Sequence, residues 1–471
     1  MVFNTLTFVV FFAIVVAVHS LPLAWTTRKI NLLIASYIFY AAWNPPFILL
    51  LWISTIVDWY AAQGLVRARR QSSRHAWMLL SVTANLGMLL YFKYGAFLLQ
   101  NFTVVMAAIG VNYRAPAMDI VLPVGISFYT FATMSYTLDV YLRRALPAKN
   151  FLDYALFVTF FPHLVAGPIM RPTELVPQFE TPRRADRRQL AFGLGLMTLG
   201  LFNKVVLADT LLSGAAERVF DHGQIPGALD SWAGTLAFSG QIFCDFAGYS
   251  TTAIGAALCL GFKLPDNFRF PYAAVGFTDF WRRWHITLSS WLRDYLYIPL
   301  GGNRHGALRT HIALMTTMLL GGLWHGANWT FIAWGGLHGT YLVAERNLRA
   351  RFQGFHPGPW ALFGLGVLTY FFINVTWVFF RAKTFSTAWL VLRGMAGFNG
   401  GAEPILSTVF LASVAAIVPA IVAVHLYMRR RTLESVLART PPLAIGVIWG
   451  LMAFAIIISQ GSGNAFIYFQ F

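Results

Sequence analysis

The chain is short of charge. Only 11% of its 471 residues are charged, and 18 are aspartate or glutamate. A soluble domain carries about a quarter charged residues. One water-soluble core of this composition would lack the polar surface to cover it, so a soluble globular fold is excluded. Cysteine is scarcer still: Cys244 and Cys259 stand alone in apolar sequence, with no CxxC and no Cys/His metal spacing. Free thiols with a packing role are expected. HExxH, GxSxG and a Ser/His/Asp order are also missing, so neither zinc hydrolysis nor a serine nucleophile has support. No metal and no bound cofactor is expected. No repeat relates the two halves, which argues against a secondary transporter.

Apolar sequence is what abounds. The chain is 57% hydrophobic, arranged in runs close to the roughly 20 residues that span a bilayer as a helix. The runs cover 4–25, 47–66, 77–94, 96–111, 120–141, 190–212, 230–262, 312–342, 360–380, 404–427 and 442–460, with a short one at 30–43. The first reads as an uncleaved membrane helix, because no basic residue precedes it. In 151–170, Pro162, Gly167 and Pro168 interrupt a run barely long enough to span, which predicts a re-entrant or broken helix. The expected fold is all-α: a polytopic helical membrane protein of about eleven transmembrane helices, plus re-entrant and interfacial pieces. Asp58 is an intramembrane acid in need of a partner. The net charge of +17 comes from arginines and lysines gathered between apolar runs. The positive-inside rule accounts for that pattern, and nucleic acid is not needed to explain it.

The most unusual stretch is 280–339. On a helical wheel of 281–295, Trp281, Trp284, Leu288, Trp291, Leu292 and Tyr295 share one face. Arg282, Arg283, Thr287, Ser289, Ser290, Arg293 and Asp294 share the other, with His285 at the seam. This predicts an amphipathic helix lying at the membrane interface. A functional alternative is that Arg282, Arg283, Arg293 and Arg304 form a basic mouth, since the guanidinium fork matches phosphate oxygens. Asp294 reads as an ion-pair partner of Arg293.

His325, in LWHGAN, lies within an apolar run. Burying an ionisable group there is costly, which makes it a functional-site candidate. The plain alternative is a hydrogen-bonded packing histidine. Neutral imidazole is far cheaper to bury than a carboxylate and titrates near neutral pH. It suits a general base that takes a proton from a hydroxyl attacking an activated carbonyl. Asn328 and Trp329 would share its face if the helix continues. Asp245 and Tyr249, one turn apart in CDFAGYS, could support it. Asp245 orients a histidine, pairs with an arginine, or makes a helix–helix hydrogen bond. His338, before a glycine, reads as a packing or helix-end residue. Gly321, Gly322, Gly326, Gly335, Gly336 and Gly339 allow close helix approach, and GGLHG is a second possible helix break.

Several blocks carry a resemblance. FFPHLVAGPIMR, DFAGYS, NFRFPY, FWRRWHITLSSWLRDYLYIPLGGNR, LLGGLWHGANWTFIAWGGLHG, WVFFRA and the terminal FIYFQF resemble the bacterial membrane-bound O-acyltransferases (MBOAT). Within that family they are most similar to the branch that O-acetylates exopolysaccharides such as alginate. The resemblance implies one MBOAT membrane domain over 1–471, in which helices enclose a central tunnel. Its parts would be N-terminal helices in 1–150, a core with interfacial helices and the catalytic segment in 151–345, and C-terminal helices in 346–471. It implies that His325 matches the catalytic histidine and His285 the second family histidine. Trp324, Asn328, Asp245 and Tyr249 would support them, and Arg282, Arg283, Arg293 and Arg304 would hold the donor.

The implied activity moves an acetyl group from cytoplasmic acetyl-CoA through the bacterial inner membrane to a periplasmic acceptor. The implied partner is a periplasmic acetyltransferase of serine-hydrolase-like fold within an exopolysaccharide assembly complex. The alternatives are D-alanyl-type transfer from a carrier protein, a non-enzymatic channel or transporter, and a scaffold that only docks a periplasmic enzyme.

Overall fold

The computed structural model describes residues 1–116, 120–354 and 356–460. The FIYFQF ending lies outside the described residues. Every regular element among those described is helical. Six helices are long and apolar enough to cross a membrane: Pro45–Arg67, Gln71–Ala108, Arg187–Asp221, Ala228–Cys259, Pro359–Arg381 and Thr408–Met428. Leu6–Ser20 and Pro442–Ile458 are apolar but shorter. The runs 77–94 and 96–111, expected as two spans, form one helical stretch instead. A π-helical turn at Leu90–Tyr94 absorbs the irregularity around Lys93 without ending the helix. The long run at 230–262 likewise folds as the single helix Ala228–Cys259.

By contacts the chain forms two compact units, Met1–Met197 with Thr252–Pro265, and Thr198–Thr251 with Asp266–Phe471. In the first, Asp58 is fully buried and accepts a hydrogen bond from Asn85 Nδ2 at 2.8 Å. Asn85 Oδ1 accepts in turn from Ser54 at 2.7 Å and Thr133 at 3.1 Å. The intramembrane acid therefore sits in a neutral polar network. Lys29 and Asp153 make a buried ion pair in the same unit. The proline-interrupted run breaks as expected, into Phe151–Thr159, Phe161–Leu164 and an irregular stretch to Met170. All of 160–170 is buried, which is the condition under which irregular backbone is tolerated inside a membrane protein.

The second unit is built on an aromatic core. Trp284, Trp334 and Trp377 are fully buried and pack with Phe280, Phe331 and Phe380. Beside them, Gly306–His325 and Trp329–Arg351 form a tight helical hairpin. Its seam is glycine. A Cβ placed on Gly335 would lie 2.2 Å from the Met318 carbonyl oxygen, and one on Gly322 would lie 2.3 Å from that of Phe331. No side chain fits at such distances, so the two backbones touch. The helix breaks at Gly326 but runs unbroken through Gly335 and Gly336, so the second GG pair is a packing surface and not a break.

Gly335→Ala should therefore destabilise the purified protein by about 1–3 kcal/mol through overpacking. Gly364→Ala, where nothing beyond the helix's own nearby backbone lies within 4 Å of the added methyl, should not lower the thermal unfolding midpoint followed by tryptophan fluorescence.

Candidate active site

His325 is the last residue of Gly306–His325 and is 2% exposed. Gly326 follows in extended conformation (φ −164°, ψ 151°), and a Cβ there would meet the Phe331 ring at 2.1 Å. The chain can turn immediately after His325 only because residue 326 lacks a side chain. Asn328 then caps the next helix. Its Oδ1 accepts from the Thr330 amide at 3.0 Å, and its Nδ2 donates to the Lys383 carbonyl at 2.9 Å. The expectation that His325, Asn328 and Trp329 share a helical face is thus corrected: the helix ends between them, and Trp329 is 53% exposed. Asn328 holds the turn.

The His325 ring is enclosed by aromatics. Its centroid lies 5.1 Å from Trp324, 5.0 Å from Trp334 and 5.2 Å from Phe380, all near edge-on. Trp324 also lies 5.9 Å from His285. The two histidines, 40 positions apart in sequence, therefore meet around one shared indole.

The single amphipathic helix expected over 281–295 is not formed. Helix Phe277–Trp281 ends, and His285 adopts a left-handed backbone (φ 42°, ψ 57°) before Ile286–Leu292 begins. That conformation is strained for a residue with a Cβ and persists only where the surroundings impose it. Most of the aromatic face is buried against protein: Trp284, Leu288, Trp291 and Leu292 are buried, and Trp281 and Tyr295 are partly buried. Trp284 lies 5.1 Å from Phe268 and 5.0 Å from Trp377. His285 is fully buried, 4.6 Å from Phe246. Its segment lies outside the six apolar helices. Burial pushes the imidazole down to about 3, so it is neutral near physiological pH.

Asn267, which the sequence reasoning did not single out, grips this junction. Its side-chain oxygen lies 3.1 Å from His285 Nδ1 and accepts from the Thr287 hydroxyl at 2.9 Å. Its main-chain carbonyl accepts from the Ile286 amide at 2.9 Å. The only signal in the sequence was its place in the NFRFPY block.

The four arginines separate into two pairs. Arg283 pairs with Asp279 at 2.9 Å, and Asp279 also meets Arg429 at 3.2 Å. Arg293 pairs with Asp294 at 2.7 Å, as the sequence led us to expect. Arg282 and Arg304 are exposed and make no ion pair among the described residues. They are the pair with charge to spare for an anion.

Asp245 is 1% exposed and pairs with a lysine: Lys204 Nζ lies 2.5 Å from its carboxylate. Lys204 also binds Asp209 at 2.8 Å. In an α-helix residues five apart face away from each other. Here Phe202–Leu212 is π-helical, and its i→i+5 pattern brings Lys204 and Asp209 together. Tyr249 is buried one turn beyond Asp245 on the same helix. Lys204 and Asp209 were also missed. Their signal was plain, since both are ionisable residues inside an apolar run, the argument that had singled out His325. His338 lies mid-helix in Trp329–Arg351, not at a helix end. It is fully buried, with Nε2 3.1 Å from the Thr376 hydroxyl.

The chain is similar to proteins of known family. Probable alginate O-acetylase AlgI of Azotobacter vinelandii is 42% identical, over 79% of this chain and 73% of the relative. The peptidoglycan O-acetyltransferase of Helicobacter pylori is 39% identical, over 79% of this chain and 74% of the relative. The teichoic acid D-alanyltransferase of Bacillus subtilis is 26% identical, over 57% and 71%. Residues 142–384 match the membrane-bound O-acyltransferase family and contain both histidines, Asn267 and Lys204. This chain is a multi-pass membrane acyltransferase and belongs to the MBOAT family.

Proposed function

We propose that the protein transfers an acetyl group from acetyl-CoA to an acceptor on the far side of the bacterial inner membrane, feeding O-acetylation of an exported polysaccharide. The observation that carries this reading is the meeting of His285 and His325 around Trp324, in a buried aromatic setting, within a chain similar to polysaccharide O-acetylases. The kinship to acyltransferases sets aside the channel and scaffold readings.

His325 acts as general base. Neutral imidazole accepts the acceptor's hydroxyl proton as the oxygen attacks the thioester carbonyl. Collapse of the tetrahedral adduct breaks the C–S bond, and the proton passes to the departing thiolate. The aromatic enclosure keeps water from competing for the acyl group. Arg282 and Arg304 attract the phosphates of the donor, and His285 helps bind the donor or move the proton. A periplasmic acetyltransferase would receive the acetyl group and modify the polymer. Transfer of a D-alanyl group from a carrier protein is the second reading, favoured only by the more distant teichoic acid relatives.

His325→Ala should lower acetylation of the exported polymer by about 100-fold or more while membrane levels stay normal. Retained acetylation would sink the assignment. The double variant Arg282→Glu/Arg304→Glu should raise KM for acetyl-CoA about 100-fold, the loss of two charge-assisted contacts at about 10-fold each, with kcat within about twofold. An unchanged KM, with transfer instead supported by an acyl carrier protein, would favour the second reading.

A further inference from the structure

The clamp on His285 decides which of its nitrogens can react. Asn267 is 1% exposed, in the loop preceding helix Phe277–Trp281. Its side-chain oxygen receives the Thr287 hydroxyl at 2.9 Å and faces the Thr287 amide nitrogen at 3.4 Å. A backbone N–H can only donate. The Asn267 atom facing it is therefore the carbonyl oxygen, since the amide nitrogen would set two donors against each other. The same oxygen lies 3.1 Å from His285 Nδ1. An oxygen that accepts at this distance requires a proton on Nδ1. In a neutral imidazole the lone pair then belongs to Nε2. The Asn267 carbonyl meanwhile holds the Ile286 amide at 2.9 Å, so one residue grips both the ring and the adjoining main chain. This double grip accounts for the left-handed backbone at His285.

We propose that Asn267 is a positioning residue of the acyl-transfer site: it holds His285 as the Nδ1-protonated tautomer and makes Nε2 the nitrogen that accepts a proton or hydrogen bond from bound substrate. The proposal rests on His285 belonging to the site, as argued above. Asn267 touches no substrate and acts through the histidine.

The tautomer can be read without any assay of transfer. The probe is 15N solid-state NMR of histidine-labelled full-length protein in lipid, with His285 assigned by the signals lost in His285→Gln. The wild type should show a protonated Nδ1 and a bare Nε2. Near-isosteric Asn267→Leu should shift His285 toward the Nε2-protonated form and lower transfer about 10–100-fold, the usual scale for loss of an orienting hydrogen bond, with folded protein undiminished. Asn267→Asp keeps an acceptor oxygen, so it should retain the Nδ1 proton and recover most of the rate.

A wild-type His285 protonated on Nε2 alone overturns the proposal, as does an Asn267→Leu spectrum identical to wild type. Full transfer by Asn267→Leu despite an altered tautomer overturns the positioning role. Should Asn267→Leu fail to accumulate, the wild-type spectrum and Asn267→Asp still decide. Failure of the underlying reading looks different: His285→Gln and His325→Ala would then both transfer normally, whatever the tautomer.

Discussion

Contact between two backbones at Gly322 and Gly335 governs where the chemistry can occur. With no side chains at the seam, helices Gly306–His325 and Trp329–Arg351 approach until carbonyl oxygens stand where a Cβ would be. That approach leaves little room for the connection. The chain must reverse within residues 326–328, and His325 is fixed at the C-terminal end of the first helix, beside the turn. The same closeness brings Trp334, from the return helix, against the His325 ring. A bulkier seam would splay the hairpin and open the ring to water. Packing here sets position, and position sets what an ionisable side chain is able to do.

Charge is handled differently across the second unit. Lys204 is buried between Asp209 and Asp245, an arrangement that needs a π-helical stretch to form. Breaking such a group by removing one partner is costly, because a charge is then left buried alone. At the surface, Arg283 and Arg293 are already paired with carboxylates, whereas Arg282 and Arg304 are not. Adjacent arginines in one RR dipeptide therefore have separate jobs. Arg283 pairs with Asp279 of the preceding helix and donates to the Arg269 carbonyl, at 3.2 Å, in the loop holding Asn267, while Arg282 is exposed.

Much of this was legible in advance, for physical reasons. A bilayer forces long apolar helices, so the helical class and the membrane setting followed from composition. The cost of burying an ionisable group singled out His325, and the prolines of 151–170 announced a broken helix. The argument that found His325 applied equally to Lys204 and Asp209, which a long apolar average concealed. The wheel drawn over 281–295 grouped the right residues on one face but misjudged what that face meets. Periodicity reports that a side chain is apolar and is silent on whether lipid or protein covers it. It also assumes helical φ and ψ throughout, which His285 violates.

The sequence by itself determined the class of fold, the family, and the candidate histidine, because each depends on composition or on contiguous residues. Tertiary structure decided the rest. Only folding brings His285 and His325 around one indole, gives Asp245 a lysine, and aims Asn267 at Nδ1 of His285. These are contacts between residues 18 to 40 positions apart or more. No local pattern encodes them, because the energy that selects them comes from packing glycine seams and aromatic rings across separate helices.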